Sequence, residues 1–367
     1  MEGGKIAYRL TLLATRPRGG WLKIWIEAGR AVCYTIRLFI TPRRVGMSTV
    51  TEVIRTERKS AVLTPSSLAC LAHVPTVNLT AGCAHECRYC YACGYLTHPG
   101  EGKIAFYTNT LAKLREELRR KRKKPATVYF SPSSDPFQPI SEVLEMTYDV
   151  FQFLLESGIG VAFVTKGLIP ERHRSLLAAH SVLVQGRIGL ITLDPRVATA
   201  FEPYAATPAM RLAQAAELIA ASVPIEARLD PILPGVTDDT DRLEPLCAAL
   251  AGIGVRTISA SVLFLRPAVT GSLRRHVEDK RMLGRMLNCF AGGEPLAIHA
   301  GNSRVRAIPT RARLEIMERL KSIANRYGME VLVCACKNPD ISSGSCHISG
   351  RWLGVDREGS QLGLFQA

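Results

Sequence analysis

The chain has 367 residues, of which 47% are hydrophobic, and it carries a formal net charge of +15 at pH 7. This length and composition predict a soluble globular protein with one large core or two smaller ones. Its eleven cysteines come without a secretion signal or the regular spacing of small secreted domains. The pattern argues against a disulfide scaffold and favours a reducing compartment, so we expect a cytoplasmic protein.

The first 46 residues differ from the rest of the chain. They hold nine basic residues against Glu2 and Glu27, which leaves 38 basic and 30 acidic residues, or +8, from Met47 onward. Residues 21–40 are apolar but are interrupted by four charges that would be unfavourable at a bilayer centre, so no membrane partner is expected. We expect residues 1–46 to be a poorly ordered basic extension that may not be native; a packed N-terminal helix is the alternative.

Strands and helices alternate beyond a short segment at residues 47–73. Alternating strands and helices predict a parallel sheet with right-handed crossovers, and six such units predict an α/β fold, a partial (βα)6 barrel of TIM type, over residues 74–267. We expect residues 268–367 to form an α/β cap. The predicted strands are 74–79, 126–130, 159–165, 182–190, 225–233 and 255–263, and the predicted helices are 106–124, 142–156, 169–179, 208–221, 241–251, 271–290 and 311–327.

A cysteine-rich stretch follows the first predicted strand. Cys83, Cys87 and Cys90 have C-x3-C-x2-C spacing. Three thiolates so spaced can bind three irons of a [4Fe–4S] cluster and leave the fourth iron open for chemistry. Cys93 follows Cys90 at C-x2-C spacing, so the four cysteines could instead enclose zinc or a fully ligated cluster.

This C-x3-C-x-Tyr-Cys pattern resembles the signature of the radical S-adenosylmethionine (SAM) superfamily. The resemblance implies that SAM chelates the open iron, that a one-electron reductant such as flavodoxin or ferredoxin reduces the cluster, and that a 5′-deoxyadenosyl radical abstracts a substrate hydrogen. Tyr89 and Tyr91 flank Cys90, and one of them is expected to pack over the cluster or the adenine; a hydrogen-atom relay is the alternative. With Cys93 they are the candidate catalytic residues.

Loops after later strands resemble one branch of that superfamily, which contains spore photoproduct lyase. Ser134, Asp135 and Gln138 lie in the loop after the second strand, and Lys166 ends the third. The resemblance implies that this loop binds SAM and that Lys166 meets the SAM carboxylate; a turn cap at Asp135 and a solvated strand end at Lys166 are the alternatives. The matching segments are 131–139, 165–167, 193–195, 201–203 and 230–235.

A second group of cysteines lies near the C-terminus. Cys334, Cys336 and Cys346, with His347, predict a second metal or iron–sulfur centre, and plain buried thiols are the alternative. The other four cysteines have apolar or helical surroundings and are predicted to lie in the core. They are Cys33, Cys70, Cys247 and Cys289.

The substrate is less well defined by sequence than the cofactors. Basic runs at 119–124 and 304–313 could neutralise phosphates, so DNA or RNA is the expected substrate, for repair or modification. The run at 119–124 could equally compensate a helix dipole. Pro132 occupies the position where spore photoproduct lyases carry a hydrogen-donating Cys, so we do not expect repair of the spore photoproduct; Cys93 is a candidate substitute. The alternatives are a radical SAM enzyme acting on a peptide or small metabolite, and a non-enzymatic iron–sulfur or zinc protein that binds nucleic acid.

Overall fold

The computed structural model describes residues 51–65, 71, 74–298 and 303–342, all within the unit Ser48–Ala367. The predicted extension at 1–46 and the residues Cys33, Cys70, Cys346 and His347 lie outside the described residues. The strands of the described part are β1 (Glu52–Thr56), β2 (Thr76–Val77), β3 (Thr80–Ala81), β4 (Lys103–Tyr107), β5 (Thr127–Phe130), β6 (Gly160–Thr165), β7 (Val184–Gly189), β8 (Ile225–Ile232), β9 (Thr257–Val262), β10 (Glu294–Ile298), β11 (Ser303–Ala307) and β12 (Glu330–Val333). The helices are α1 (Thr110–Arg120), α2 (Ser141–Glu156), α3 (Glu171–Ala179), α4 (Pro195–Phe201), α5 (Pro208–Ala220), α6 (Thr240–Gly252), α7 (Pro267–His276), α8 (Lys280–Asn288) and α9 (Thr310–Arg326).

A parallel sheet of seven strands forms the centre of the fold, in the order β2-β5-β6-β7-β8-β9-β12. Every residue of β5 and β7 is buried, as expected for parallel strands covered on both faces. On one face α2 packs its apolar side against the sheet, where Phe151 meets Phe130 edge to face with ring centroids 4.6 Å apart. The predicted α/β fold with a parallel sheet is confirmed.

The sheet is curved, as shown by side chains from distant strands that meet on its other face. Tyr129 of β5 and Ala162 of β6 share one buried cluster with Cys334 and Cys336, which follow β12 at the opposite end of the strand order. A flat sheet would keep these strands apart. The curvature gives the open, partial-barrel shape that brings the C-terminal strand ends around one cavity.

The seventh strand is the main departure from the sequence prediction. β12 lies in the range predicted as a cap, yet it pairs in parallel with β9, from Glu330↔Thr257 to Val333↔Ala260. Its four residues are too short for an alternating pattern to stand out in the sequence. The strand is in contact with α9, whose buried face includes Ile316, Met317 and Leu320.

Two predicted helices are also interrupted. The range 106–124 begins with the last residues of β4 and becomes helical only at Thr110. The helix α1 then ends at Arg120, before most of the basic run at 119–124. The range 271–290 divides into α7 and α8, because Asp279 caps α8 by accepting a hydrogen bond from the Met282 N–H at 2.8 Å. A side-chain cap satisfies an N–H group that a continuous helix would pair internally.

Three smaller features complete the described part. β1 and β4 pair in parallel, and β3 joins β4 antiparallel, forming a small sheet beside the main one. β10 and β11 form an antiparallel pair. Among the helices described, none has the length and apolar character needed to cross a membrane.

Candidate active site

A cavity of about 430 Å³ opens at the C-terminal ends of the parallel strands. This is the edge of a parallel α/β sheet or barrel at which ligands bind. The cysteine loop (residues 82–94), the 131–139 loop and the end of β6 form one wall. The opposite part, here called the far wall, comes from β8, the residues after β9 and the C-terminal turn (residues 334–338).

Gly82 and Gln138 fix the backbone of the cysteine loop. Gly82 has φ +80°, and a Cβ there would lie 2.7 Å from the Lys103 carbonyl oxygen, so only glycine fits. Gln138 is fully buried; its Oε1 accepts from the Ala84 N–H at 2.7 Å, and its Nε2 donates to Thr80 Oγ1 at 2.8 Å and to the Asp135 carbonyl at 2.9 Å. These contacts make Gln138 a support for the loop. It is absent from the described cavity wall, and a direct contact with cofactor stays a prediction.

The structure brings the three motif cysteines to the cavity, and the thiol of Cys93 is hydrogen-bonded to that of Cys90. Cys83, Cys87 and Cys90 all line the cavity, whereas Cys93 is exposed and is not among the described lining residues. Burial, followed by the charge of Glu202, raises the pKa of the Cys87 thiol to about 12. Three thiolates in this setting need compensating positive charge, which iron ions supply.

Asp135 is held entirely by the protein. Its Oδ1 accepts from the Phe137 N–H at 2.8 Å and the Thr165 hydroxyl at 2.7 Å, and its Oδ2 accepts from the Lys166 N–H at 2.8 Å. His85 Nε2 lies 3.3 Å from the same Oδ2. Burial pushes the pKa of Asp135 upward, but His85 and these donors outweigh it and hold the pKa below its usual value. Asp135 therefore fastens the 131–139 loop to the end of β6. This role resembles the turn cap expected from sequence as the alternative for Asp135.

Lys166 stands beside a buried charge network. Its Nζ is 4.0 Å from Glu202 Oε1 and 5.8 Å from the centre of the Tyr89 ring. Glu202 also accepts hydrogen bonds from the Tyr89 hydroxyl and from Arg211 Nη2, the latter at 2.5 Å. Burial raises the pKa of Glu202, and Arg211 with Lys166 more than reverses this, so the net pKa is lowered. Lys166 thus sits on the cavity wall as a cation of fixed position.

Two hydroxyl groups near the cysteine loop have unused hydrogen-bonding capacity. Ser131 Oγ and Ser134 Oγ are shielded from solvent and have no hydrogen-bond partner within the described part. Both residues line the cavity. A buried hydroxyl without a partner is unfavourable in a protein interior. These two groups are therefore suited to bind a polar ligand, and Ser134 is a residue that the sequence had marked.

Tyr91 connects the cysteine loop to the far wall. Its hydroxyl donates to the Pro132 carbonyl, and the Lys337 ammonium lies 5.5 Å from the centre of its ring. Both Tyr91 and Tyr89 line the cavity, so both candidate catalytic tyrosines reach it. Whether either takes part in chemistry stays a prediction.

Cys334 and Cys336 share this same cavity. Both are buried, at 5% and 3% exposure, and both line the far wall. The C-terminal turn is closed by the Asn338 N–H, which donates to the Cys334 carbonyl at 2.9 Å. The predicted second centre also needs Cys346, which lies outside the described residues, so that centre stays a prediction. Its two described cysteines face the main cavity.

Sequence reasoning missed several residues of this site. His85 lies inside the cysteine motif, and Glu202 and Asp230 lie inside motifs that carried the resemblance, but none was given a role. Arg211, 1% exposed, and Arg228 carried no local signal. A buried arginine is recognisable only when its carboxylate partner is known.

The comparisons with known proteins agree with this architecture. No family model matches the chain. An uncharacterised protein from Mycobacterium tuberculosis is 32% identical over 222 residues, which are 58% of this chain and 65% of the relative. A radical SAM Nalpha-GlyT isomerase from Pseudomonas phage M6 is 26% identical over 173 residues, 47% of this chain and 35% of the isomerase. The chain thus spans less than two thirds of these relatives.

Solved structures of spore photoproduct lyase are similar over most of the chain. One mutant of that enzyme aligns with TM-score 0.60 and 15% identity, covering 77% of this chain and 82% of the lyase. Another mutant, with bound AdoMet and dinucleoside spore photoproduct, aligns with TM-score 0.60 and 14% identity over 76% and 81% of the two chains. At this identity the likeness concerns the fold. The chain therefore has the radical SAM fold in the form found in spore photoproduct lyase, as its cysteine motif predicts.

Proposed function

We propose that this protein is a radical SAM enzyme that abstracts a hydrogen atom from a nucleic-acid substrate and that does not repair the spore photoproduct. The observation that carries the proposal is the meeting of Cys83, Cys87 and Cys90 with Lys166 and the unpaired Ser134 hydroxyl around one cavity. The fold alone supports many activities, so the proposal rests on these side chains.

The donor set fits a [4Fe–4S] cluster with SAM. Cys83, Cys87 and Cys90 would hold three irons, and Cys93 is exposed and is not among the described lining residues, so we infer that one iron is left for SAM. When bound and reduced, the cluster and SAM supply the 5′-deoxyadenosyl radical that abstracts hydrogen. Ser134 offers a hydroxyl and Lys166 a cation for the polar end of SAM.

The remaining side chains orient these groups. Asp135 fixes the backbone of Lys166, Gln138 fixes that of Ala84, and Glu202 limits where the Lys166 ammonium can lie. Rigid support of this kind keeps the reacting groups in place. The proposed reaction also needs an external one-electron reductant, such as flavodoxin or ferredoxin, to reduce the cluster.

The hydrogen-returning step separates this protein from spore photoproduct lyase. Pro132 lines the cavity and has no thiol. Cys93, the substitute suggested by sequence, lies off the described wall, while Cys334 and Cys336 lie on it. If Cys334 and Cys336 hold no metal, we assign the thiol donor for a substrate radical to one of them in place of Cys93.

Nucleic acid is the favoured substrate class for two reasons. The chain from Met47 onward carries +8, and the lyase with the same fold was solved with a dinucleoside photoproduct. A base or sugar within a duplex would need to be exposed to reach the cavity. A peptide or small metabolite is the second candidate, supported by a cavity volume of about 430 Å³.

The test uses anaerobically reconstituted full-length protein. Reduced wild type should convert SAM to 5′-deoxyadenosine and methionine, and Cys93→Ala should do the same with the same iron content. Replacing Cys83, Cys87 and Cys90 together by Ala should abolish the reaction. Equal loss in Cys93→Ala would contradict the open-iron arrangement, and a wild type that binds iron or zinc without cleaving SAM would favour a non-enzymatic protein.

The substrate class is tested in the same assay. Deuterium should pass into 5′-deoxyadenosine from deuterated single-stranded DNA or RNA. Authentic spore photoproduct should not be repaired. Efficient cleavage of spore photoproduct would contradict the argument from Pro132. Deuterium transfer only from peptides or metabolites would move the assignment to the second candidate.

A further inference from the structure

The far wall carries several cationic side chains. Among the described residues that line the cavity, Arg228, Arg266 and Lys337 are cations of this wall and Asp230 is a carboxylate.

Asp230 fixes two of these cations side by side. Its Oδ2 accepts from Arg228 Nη2 at 2.5 Å and from Lys337 Nζ at 2.6 Å. Arg228 and Asp230 lie in β8, while Lys337 lies in the C-terminal turn, so the clamp joins elements more than 100 residues apart in the chain. The contact with Asp230 uses one of the three N–H donors of Lys337.

Aromatic side chains lie beside these cations. Tyr91, Tyr95, Tyr129 and Phe264 also line the cavity. The Lys337 ammonium lies 5.5 Å from the centre of the Tyr91 ring, and Tyr91 meets Tyr95 edge to face at 5.8 Å between centroids. Cations next to aromatic rings suit the two parts of a nucleotide, since the phosphate is anionic and the base presents a flat face.

We propose that the far wall is a phosphate subsite, in which Arg228, Arg266 and Lys337 bind a backbone phosphodiester of single-stranded nucleic acid. The proposal rests on the nucleic-acid assignment above and adds the residues that recognise the strand. Asp230 acts here as a positioning residue that keeps Arg228 and Lys337 together. If the ion pairs had a purely structural role and only tied the C-terminal turn to β8, ligand binding would not depend on the charge of the ligand.

The test measures binding of a labelled single-stranded hexanucleotide to the reconstituted full-length protein by fluorescence anisotropy, over a potassium chloride series. Lys337→Gln and Arg266→Gln should each weaken binding about tenfold. Each should also lower the slope of log affinity against log salt by about 0.7, the value for one lost contact with a single strand. Lys103→Gln is the matched control, because Lys103 pairs with Glu52 at 2.8 Å on β1 and β4, away from the cavity.

Chemical changes to the ligand provide a second readout that a structural role would not affect. A hexanucleotide with uncharged methylphosphonate linkages should bind the wild type about as weakly as the normal strand binds the variants. AMP should compete poorly, since it lacks neighbouring nucleotides. Competition by AMP as strong as that of the hexanucleotide would assign the phosphate to a free nucleotide and overturn the strand assignment.

Other outcomes would also overturn the proposal. These are unchanged salt slopes in both variants that fold with wild-type circular dichroism, equal binding of the methylphosphonate strand, and salt-dependent binding of an acidic peptide in place of the hexanucleotide. SAM cleavage is measured in the same samples. Its absence in wild type with phosphate binding intact would count against the radical chemistry and leave the subsite standing.

Discussion

Lys166 crosses directly over Gly189. A Cβ at position 189 would lie 2.8 Å from the Lys166 Cγ and 2.9 Å from its Nζ. Gly189 ends β7 and Lys166 follows β6, the neighbouring strand. The missing side chain at 189 is therefore what allows the Lys166 ammonium to lie near Glu202 on the cavity wall.

Gly189→Ala should displace the Lys166 side chain and weaken SAM binding about tenfold, which is the loss of roughly one charge-assisted hydrogen bond. Isothermal titration of SAM into reconstituted protein measures the change. Gly284→Ala is the control, because Gly284 lies within α8 with nothing within 4 Å of an added Cβ. Unchanged SAM affinity in Gly189→Ala would argue against Lys166 as a SAM ligand.

Ser134→Ala should separate cofactor binding from stability. Removing a shielded, unpaired hydroxyl should leave the free energy of unfolding of the ligand-free protein unchanged or raise it by about 1 kcal/mol. SAM binding should weaken about five- to tenfold if Ser134 Oγ contacts SAM. Urea denaturation and SAM titration provide the two measurements.

The matched control for Ser134 is Ser175→Ala, because Ser175 is exposed on α3 and its hydroxyl donates to the Glu171 carbonyl. It should alter neither quantity. Loss of stability in Ser134→Ala without loss of SAM affinity would give Ser134 a structural role only.

Glu202 should make stability depend on pH in acid. Its pKa in the folded protein is lowered from 4.5, so its stabilising contribution is complete above about pH 4.5 and is lost as the pH falls through the folded value. Glu202→Gln should destabilise by about 3–5 kcal/mol at pH 7, because it leaves the Arg211 charge buried without a partner. The difference between variant and wild type should shrink as the pH is lowered.

Urea unfolding of the metal-free chain from pH 7 to pH 3 measures this effect. Glu318→Gln is the control, since Glu318 is exposed on α9, and it should change the free energy of unfolding by less than about 0.5 kcal/mol at every pH. A pH-independent difference for Glu202→Gln would show that the carboxylate is not the titrating group.

We predict that Cys334, Cys336 and Cys346 bind a second metal or iron–sulfur centre. Iron and zinc are counted in wild type and in the Cys334→Ala, Cys336→Ala, Cys346→Ala triple variant, with the Cys83, Cys87 and Cys90 cluster intact in both. The triple variant should lose the metal of that centre and keep the rest. Equal metal content in both proteins would make Cys334 and Cys336 metal-free thiols on the cavity wall.

The sequence alone determined the cysteine motif, the parallel α/β fold and the alternation of strands and helices from β5 to β9. These features depend on short-range patterns. Cys83, Cys87 and Cys90 are supplied by one loop, and a strand such as β6 is a largely apolar run. The position of the cavity also followed, since parallel strands place the loops that follow them at a common edge.

The tertiary structure decided which side chains meet at that edge. β12 joins the sheet only through its pairing with β9, and the curvature of the sheet then brings Cys336 and Lys337 to the cavity that Cys83 lines. The Lys337–Asp230 contact spans 107 residues. No local periodicity encodes a contact of that separation, because it depends on the packing of every element between its ends.

Structure also divided residues that looked alike in sequence. Cys90 and Cys93 are three positions apart and their thiols are hydrogen-bonded to each other, yet Cys90 lines the cavity and Cys93 is exposed and is not among the described lining residues. Asp135 and Ser134 are adjacent, yet the Asp135 carboxylate is hydrogen-bonded within the protein and the Ser134 hydroxyl has no partner in the described part. For Ser134 and Asp135 the deciding quantity is the direction of the side chain, which follows from backbone geometry and packing that spacing along the chain does not specify.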